Sequence, residues 1–99
     1  MTMKEADITK QIRDLLKALG IFHFKHWGGP MSVPGVSDIL GCYRGRMMAI
    51  EVKCPGNKLT QLQKNFLDNV NEAGGIAFVA YCIEDVVEGL SLKNVKVEV

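Results

Sequence analysis

Cysteine is scarce in this chain of 99 residues. Cys42, Cys54 and Cys82 are odd in number and widely separated, which excludes a disulfide framework and a cysteine-type zinc site. They read as buried or strand-edge thiols in a reducing, cytoplasmic setting. Long apolar runs are missing too. No stretch approaches the ~20 residues of a membrane-spanning helix, so a soluble chain with no membrane partner is expected. The opening Met-Thr-Met-Lys-Glu-Ala-Asp is charged and lacks the apolar core of a secretory signal. There are no internal repeats, low-complexity tracts or linker-like stretches, and the length suits one core and not two. A single domain over residues 1–99 is therefore expected. Neither sign of charge is in excess, and a formal net charge of +1 selects no partner by itself.

What the chain does have is an uneven placement of charge. Residues 1–64 carry ten Lys and Arg against five Asp and Glu, and residues 65–99 carry two against six. Such asymmetry suits a polyanionic partner.

Residues 2–19 read as a helix. Thr2-x-x-Glu5 fits a capping box and Gly20 a C-terminal stop, while Ile8, Ile12, Leu15, Leu16 and Leu19 recur at helical spacing. Residues 21–27 alternate weakly, like a strand. Residues 28–35, rich in glycine and proline, must be a loop. Two apolar runs broken at Arg44-Gly45 read as a hairpin over 36–43 and 46–53, ended by Pro55-Gly56-Asn57. A second helix is expected over 59–73, with Thr60-x-x-Gln63 as its capping box, Gly74-Gly75 as its stop and Phe66, Leu67, Val70 and Ala73 as its apolar face. Residues 76–82 form the continuous apolar run of a central strand covered on both faces. A short helix over 83–90 and an edge strand over 95–99 complete the order α-β-β-β-α-β-(α)-β. That order predicts an α/β chain with a mixed, α+β-type sheet flanked by helices.

The polar residues that break this pattern carry the chemistry. If Arg44-Gly45 is a two-residue turn, Tyr43 faces Arg46, and counting outward sets Asp38 opposite Glu51. Opposed side chains on a hairpin lie about 5 Å apart. Two carboxylates that close repel unless a cation lies between them. Glu51 and Lys53 are two apart on one strand and share a face. Two acids and an ammonium converging inside apolar strands describe a metal site with a lysine beside it. At about 100° per residue, Glu5 falls in the apolar stripe of the first helix and Gln63 in that of the second. Each is either a capping-box partner or a member of the same pocket. Such a pocket suits phosphodiester hydrolysis: a divalent cation polarises the phosphate, and a lysine orients or deprotonates the water or neutralises developing charge. Mg²⁺ is the default cofactor, because it takes one or two carboxylates and keeps several waters, with Mn²⁺ expected to substitute.

These residues resemble a known family. The spacing of Asp38, Glu51 and Lys53 is similar to the PD-(D/E)xK nuclease superfamily. More narrowly, Gly35-Val-Ser-Asp-Ile-Leu-Gly41, Ile50-Glu-Val-Lys-Cys-Pro-Gly56 and Leu59-Thr-Gln-Leu-Gln63 resemble its VRR-NUC branch. The likeness runs from the first helix to Tyr81. It departs at Ser37, where the superfamily name has proline. The resemblance implies a restriction-endonuclease-like α-β-β-β-α-β core. It implies Asp38, Glu51 and the Val52 carbonyl as metal ligands and Lys53 as the catalytic lysine. Gln63 would position the lysine, the water or a phosphate, and Glu5 would meet the metal directly or through water. It further implies a metal-dependent, structure-selective DNA endonuclease, homodimeric like archaeal-type Holliday-junction resolvases and fitting a phage or mobile-element source. Nicking, flap or restriction-like nucleases, and a non-cleaving DNA-binding module of the same fold, are the alternatives.

DNA contacts are expected around the loop that precedes Asp38. Lys25, His26 and Ser32 would meet phosphates, and Trp27 either stacks on an unpaired base or belongs to the core. Lys58 and Lys64 flank the start of the second helix, whose terminal amides favour phosphate. Lys10, Arg13 and Lys17 on the first helix extend the basic face. For the dimer surface, residues 76–82 and 95–99 are candidates through sheet or edge pairing.

Overall fold

The computed structural model describes residues 3–29 and 33–92. Helix α1 spans Glu5–Ala18. Its N-cap is Lys4, whose amide donates to Asp7 Oδ2 at 3.2 Å. The capping acid is thus Asp7 and not Glu5, which is the first helical residue and is exposed. Thr2 lies outside the described residues. Ile8, Ile12 and Leu16 are buried as the spacing predicts, whereas Leu19, at the C-cap, is exposed.

Three antiparallel strands follow: β1 (His23–Lys25), β2 (Ile39–Tyr43) and β3 (Arg46–Val52). The β2–β3 connection is the two-residue turn expected from Arg44-Gly45. Both residues have positive φ, 51° and 76°, which is the requirement of a type I′ turn. Tyr43 therefore pairs with Arg46, and the register continues to Ile39 opposite Ile50.

Helix α2 (Gln61–Glu72) packs on one face of the sheet, where Leu67 and Val70 bury against Ala49 and Ala77. Ala73, expected on that face, is the exposed C-cap residue. Strand β4 (Ile76–Ala80) runs parallel to β3, and helix α3 (Ile83–Gly89) returns to the opposite face. There α1 and α3 enclose Ile39, Met48, Ile50, Val52 and Ala80. Arg46 ties the helix end to the sheet: Nε donates to the Gly74 carbonyl at 2.9 Å and Nη2 to that of Gly75 at 2.8 Å. Those bonds satisfy carbonyls just beyond the C-terminus of α2, where a cation is favoured.

The sheet order is β1-β2-β3-β4, so β4 lies at its end among the described residues and not at its centre. Its unbroken apolarity reflects helices on both faces rather than strands on both sides. Residues 95–99, expected as an edge strand, lie outside the described residues. Among the described residues, three helices on a mixed four-stranded sheet make this an α+β fold.

Candidate functional site

The hairpin register decides the centre of the site. Pairs alternate between hydrogen-bonded and non-hydrogen-bonded outward from the turn, so the step beyond Ile39–Ile50 is a non-hydrogen-bonded pair, the kind whose side chains lie closer. That step holds Asp38 and Glu51. Asp38 is fixed twice. Its carbonyl accepts from the His26 amide at 2.7 Å, which ties it to the continuation of β1. Its Oδ2 accepts from the Val52 amide at 2.9 Å, replacing the backbone bond that a longer β2 would have made. On the other side of β3 the Lys53 amide donates to the Ala80 carbonyl at 3.1 Å. Amides alternate along a strand, so Val52 presents its N–H and C=O to the Asp38 side.

Glu51 is only 3% exposed. Its Oε2 accepts from Gln63 Nε2 at 3.4 Å, and its Oε1 is buried without a hydrogen-bond partner among the described residues. Burial is the main reason its carboxyl is pushed up to about 8. The Asp38 carboxylate adds to this through its charge and a hydrogen bond, Lys53 opposes it, and the charge of Glu5 raises it further.

Gln63 fills both roles that its position allows. Thr60 Oγ1 accepts from the Gln63 amide at 3.2 Å, and Gln63 Oε1 accepts from the Thr60 amide at 2.9 Å. With its carbonyl oxygen committed to the cap, the side-chain NH₂ can only point onward, towards Glu51. The same capping box that starts α2 therefore aims a donor into the acidic pair. Gly35 lets the chain enter β2 close to this helix: its φ is +81°, and a Cβ there would collide with the Leu62 carbonyl.

The hairpin and α2 thus bring together Asp38, Glu51, Val52 and Gln63. Lys53 is half-buried beside them, and Glu5, in the exposed first turn of α1, reaches Glu51 only through its charge. No three His, Cys, Asp or Glu side chains among the described residues are grouped to hold a metal ion. Any cation here would rest on two carboxylates, a backbone carbonyl and water. An unpartnered buried carboxylate oxygen beside a second carboxylate is a donor set that fits a hard divalent cation. Ser37 is fully buried and its hydroxyl has no partner among the described residues, and nothing in the structure gives it a role.

Trp27 is 77% exposed, which removes the core alternative, and Lys25 Nζ lies 4.8 Å from its ring centroid. His26 is half-buried and Lys58 exposed. Lys64 is exposed and paired with Asp68 at 2.9 Å. Ser32 lies outside the described residues. Cys42 is exposed, not buried, while Cys54 and Cys82 are half-buried, and all three are free thiols. No described helix is long and apolar enough to cross a membrane. Arg13, which the sequence marks only as part of a basic face, has its Nε buried without a partner among the described residues. Its spacing from Lys10 and Lys17 was the one signal available for it.

The family model of the VRR-NUC domain matches residues 5–83. Among solved structures, one named "VRR_NUC domain protein" superposes with a TM-score of 0.75 at 19% identity, covering 92% of this chain and 88% of its own. Another, named "VRR_NUC domain", gives 0.72 at 23% identity, covering 90% and 96%. At these identities the two structures speak for the fold. No match was found among curated proteins.

Proposed function

The chain belongs to the VRR-NUC domain family, a nuclease-type fold, and from that premise we propose that it is a metal-dependent, structure-selective DNA endonuclease working as a homodimer in the manner of a Holliday-junction resolvase. The observation that carries this reading is Glu51: a buried carboxylate whose Oε1 has no hydrogen-bond partner among the described residues, set beside Asp38 on the step of the hairpin that draws side chains together. Evolving two like charges into a sheet is costly unless a cation offsets them.

Asp38, Glu51 and the Val52 carbonyl would hold the cation, with Glu5 joining directly or through water. Mg²⁺ suits so small a protein donor set, and Mn²⁺ is expected to substitute. Such a cation supplies Lewis-acid polarisation of the scissile phosphate. The chain's own residues do the rest. The Val52 and His26 amides hold Asp38 in place, and Gln63 holds Glu51. Lys53 shares the face of Glu51, where its ammonium can orient or deprotonate the attacking water or neutralise the charge developing on phosphate. Lys25, His26, Lys58 and Lys64 would contact the DNA backbone, so preference follows DNA shape more than sequence.

The homodimer reading is supported by Phe22, Phe24 and Met47. All three are exposed, and the register puts them on the α2 face of the sheet beyond the reach of α2. Residues 76–82 offer no open face, since β4 is packed by helices on both faces, but β4 ends the sheet among the described residues and its edge stays a candidate for pairing.

The test is incubation with four-way junction, flap, nicked and linear DNA in Mg²⁺, Mn²⁺ or EDTA. Metal-dependent, symmetrically paired nicks on the junction are expected, lost in Asp38→Ala and Glu51→Ala. Cleavage of flaps alone would replace the resolvase reading. An inert protein on every substrate would remove the enzyme reading.

A further inference from the structure

A groove of ≈ 450 Å³ lies away from the acidic pair, between α1 and the end of β1. Lys10, Arg13, Asp14 and Lys17 line it from α1, and Lys25 and Trp27 from the β1 side. We infer that this groove is a subsite for an unpaired nucleotide, with the base stacked on Trp27 and its phosphate held by Arg13 and Lys17. The inference rests on the nuclease reading above and adds to it a site for unpaired DNA apart from the acidic pair.

Four observations support it. Trp27 is the chain's one tryptophan, and it is left largely in water at the groove's rim. The Lys25 ammonium lies over its ring, which favours a fixed platform. Arg13 brings a buried guanidinium N–H that has no acceptor among the described residues. A phosphate oxygen is the acceptor that arginine geometry suits best. Asp14, the groove's one acid, is bonded to Lys10 at 2.8 Å. With that pair neutralised, Arg13, Lys17 and Lys25 leave the groove cationic.

The combination of a free aromatic face and a few cations is what unpaired bases require. A duplex offers phosphates but no open π-face. The His26 amide bonds to the Asp38 carbonyl at 2.7 Å, so the backbone beside Trp27 is tied to the segment that carries the acidic pair, while strand alternation sets Lys25 and Trp27 on the α1 side of the sheet and Asp38 and Glu51 on the α2 side.

Because Trp27 is unique, its emission reports this groove alone. The experiment titrates the full chain in EDTA with oligo-dT and with a blunt duplex, following tryptophan emission and, in parallel, the anisotropy of labelled DNA. Oligo-dT is expected to quench Trp27 and the duplex to leave it unchanged. Trp27→Leu should weaken oligo-dT binding about tenfold while sparing the duplex. Arg13→Gln should weaken oligo-dT binding and lower its salt slope by about 1. DNA binding by anisotropy with unchanged Trp27 emission would overturn this subsite and leave the nuclease reading intact. So would an equal loss on both DNAs in Trp27→Leu. Absence of binding to oligo-dT would likewise overturn the subsite, and the nuclease reading would still stand or fall on the cleavage test above.

Discussion

Glu51 concentrates the physical tension of this molecule in one carboxyl group. Its ordinary value is 4.5, and burial, the neighbouring Asp38 and the more distant Glu5 push it up to about 8 against the pull of Lys53. A raised acid is a proton bound by the folded chain and released by the unfolded one. The stabilisation is complete below about 4.5 and is lost as the pH rises to about 8. Melting temperature in EDTA should therefore fall across that window and level off above it, apart from whatever other groups contribute equally to a variant. Glu51→Gln should remove this share of the fall, and paired thermal melts of the two proteins across the pH range measure it. An identical pH profile in both would mean that Glu51 is not held protonated. At this scale the sequence was informative about the pair itself. Strand alternation and a two-residue turn are integer constraints, and they fix Asp38 against Glu51 by counting alone. The free oxygen of Glu51 and the Val52 amide on Asp38 were not legible, because both depend on how far β2 extends. Gln63 shows a further limit: cap and site partner looked like alternatives, and one amide serves both.

The hairpin is the element that the account depends on most. Its turn needs two residues with positive φ, and Arg44 accepts that conformation at a cost that Asn largely avoids. Arg44 does lie over the Tyr43 ring at 5.2 Å, a contact the substitution would lose. Arg44→Asn should still stabilise the protein by about 0.5 kcal/mol, read by denaturant unfolding, with no change in cleavage. A loss of cleavage would show that the turn does more than set the register. The helix caps were legible to different degrees. Thr60 and Gln63 follow the sequence signature because both polar partners are there to be used. At α1 the same signature, Thr2 with Glu5, gave way to Lys4 with Asp7, since any acid three residues past the helix start satisfies the amide. Strand β4 taught a related lesson: an unbroken apolar run reports that both faces are covered, and says nothing of which edges are paired.

At the scale of the whole molecule, the described residues place two helices on one face of the sheet and one on the other, and among them part of the α2 face stays open. Phe22 and Phe24, with ring centroids 6.3 Å apart, and Met47 occupy that opening. If a second copy covers it, Phe24→Asp should shift the mass in solution from dimer to monomer and abolish paired nicking while leaving the fold's circular dichroism unchanged. A dimer that survives the substitution would move the interface elsewhere. Trp27 and the basic residues of α1 were legible in the sequence, but that they line one groove was not, nor was the apolar opening, because hydrophobic periodicity records which side of an element is apolar without recording what remains uncovered.

The central claim is that Asp38 and Glu51 form a cation site, and calorimetric titration of the wild-type chain with Mn²⁺ at a pH below 8 tests it most directly. About one ion per chain should bind, releasing close to one proton as Glu51 ionises, and both signals should vanish in Glu51→Gln and Asp38→Asn. Binding of undiminished affinity in either variant would contradict the claim.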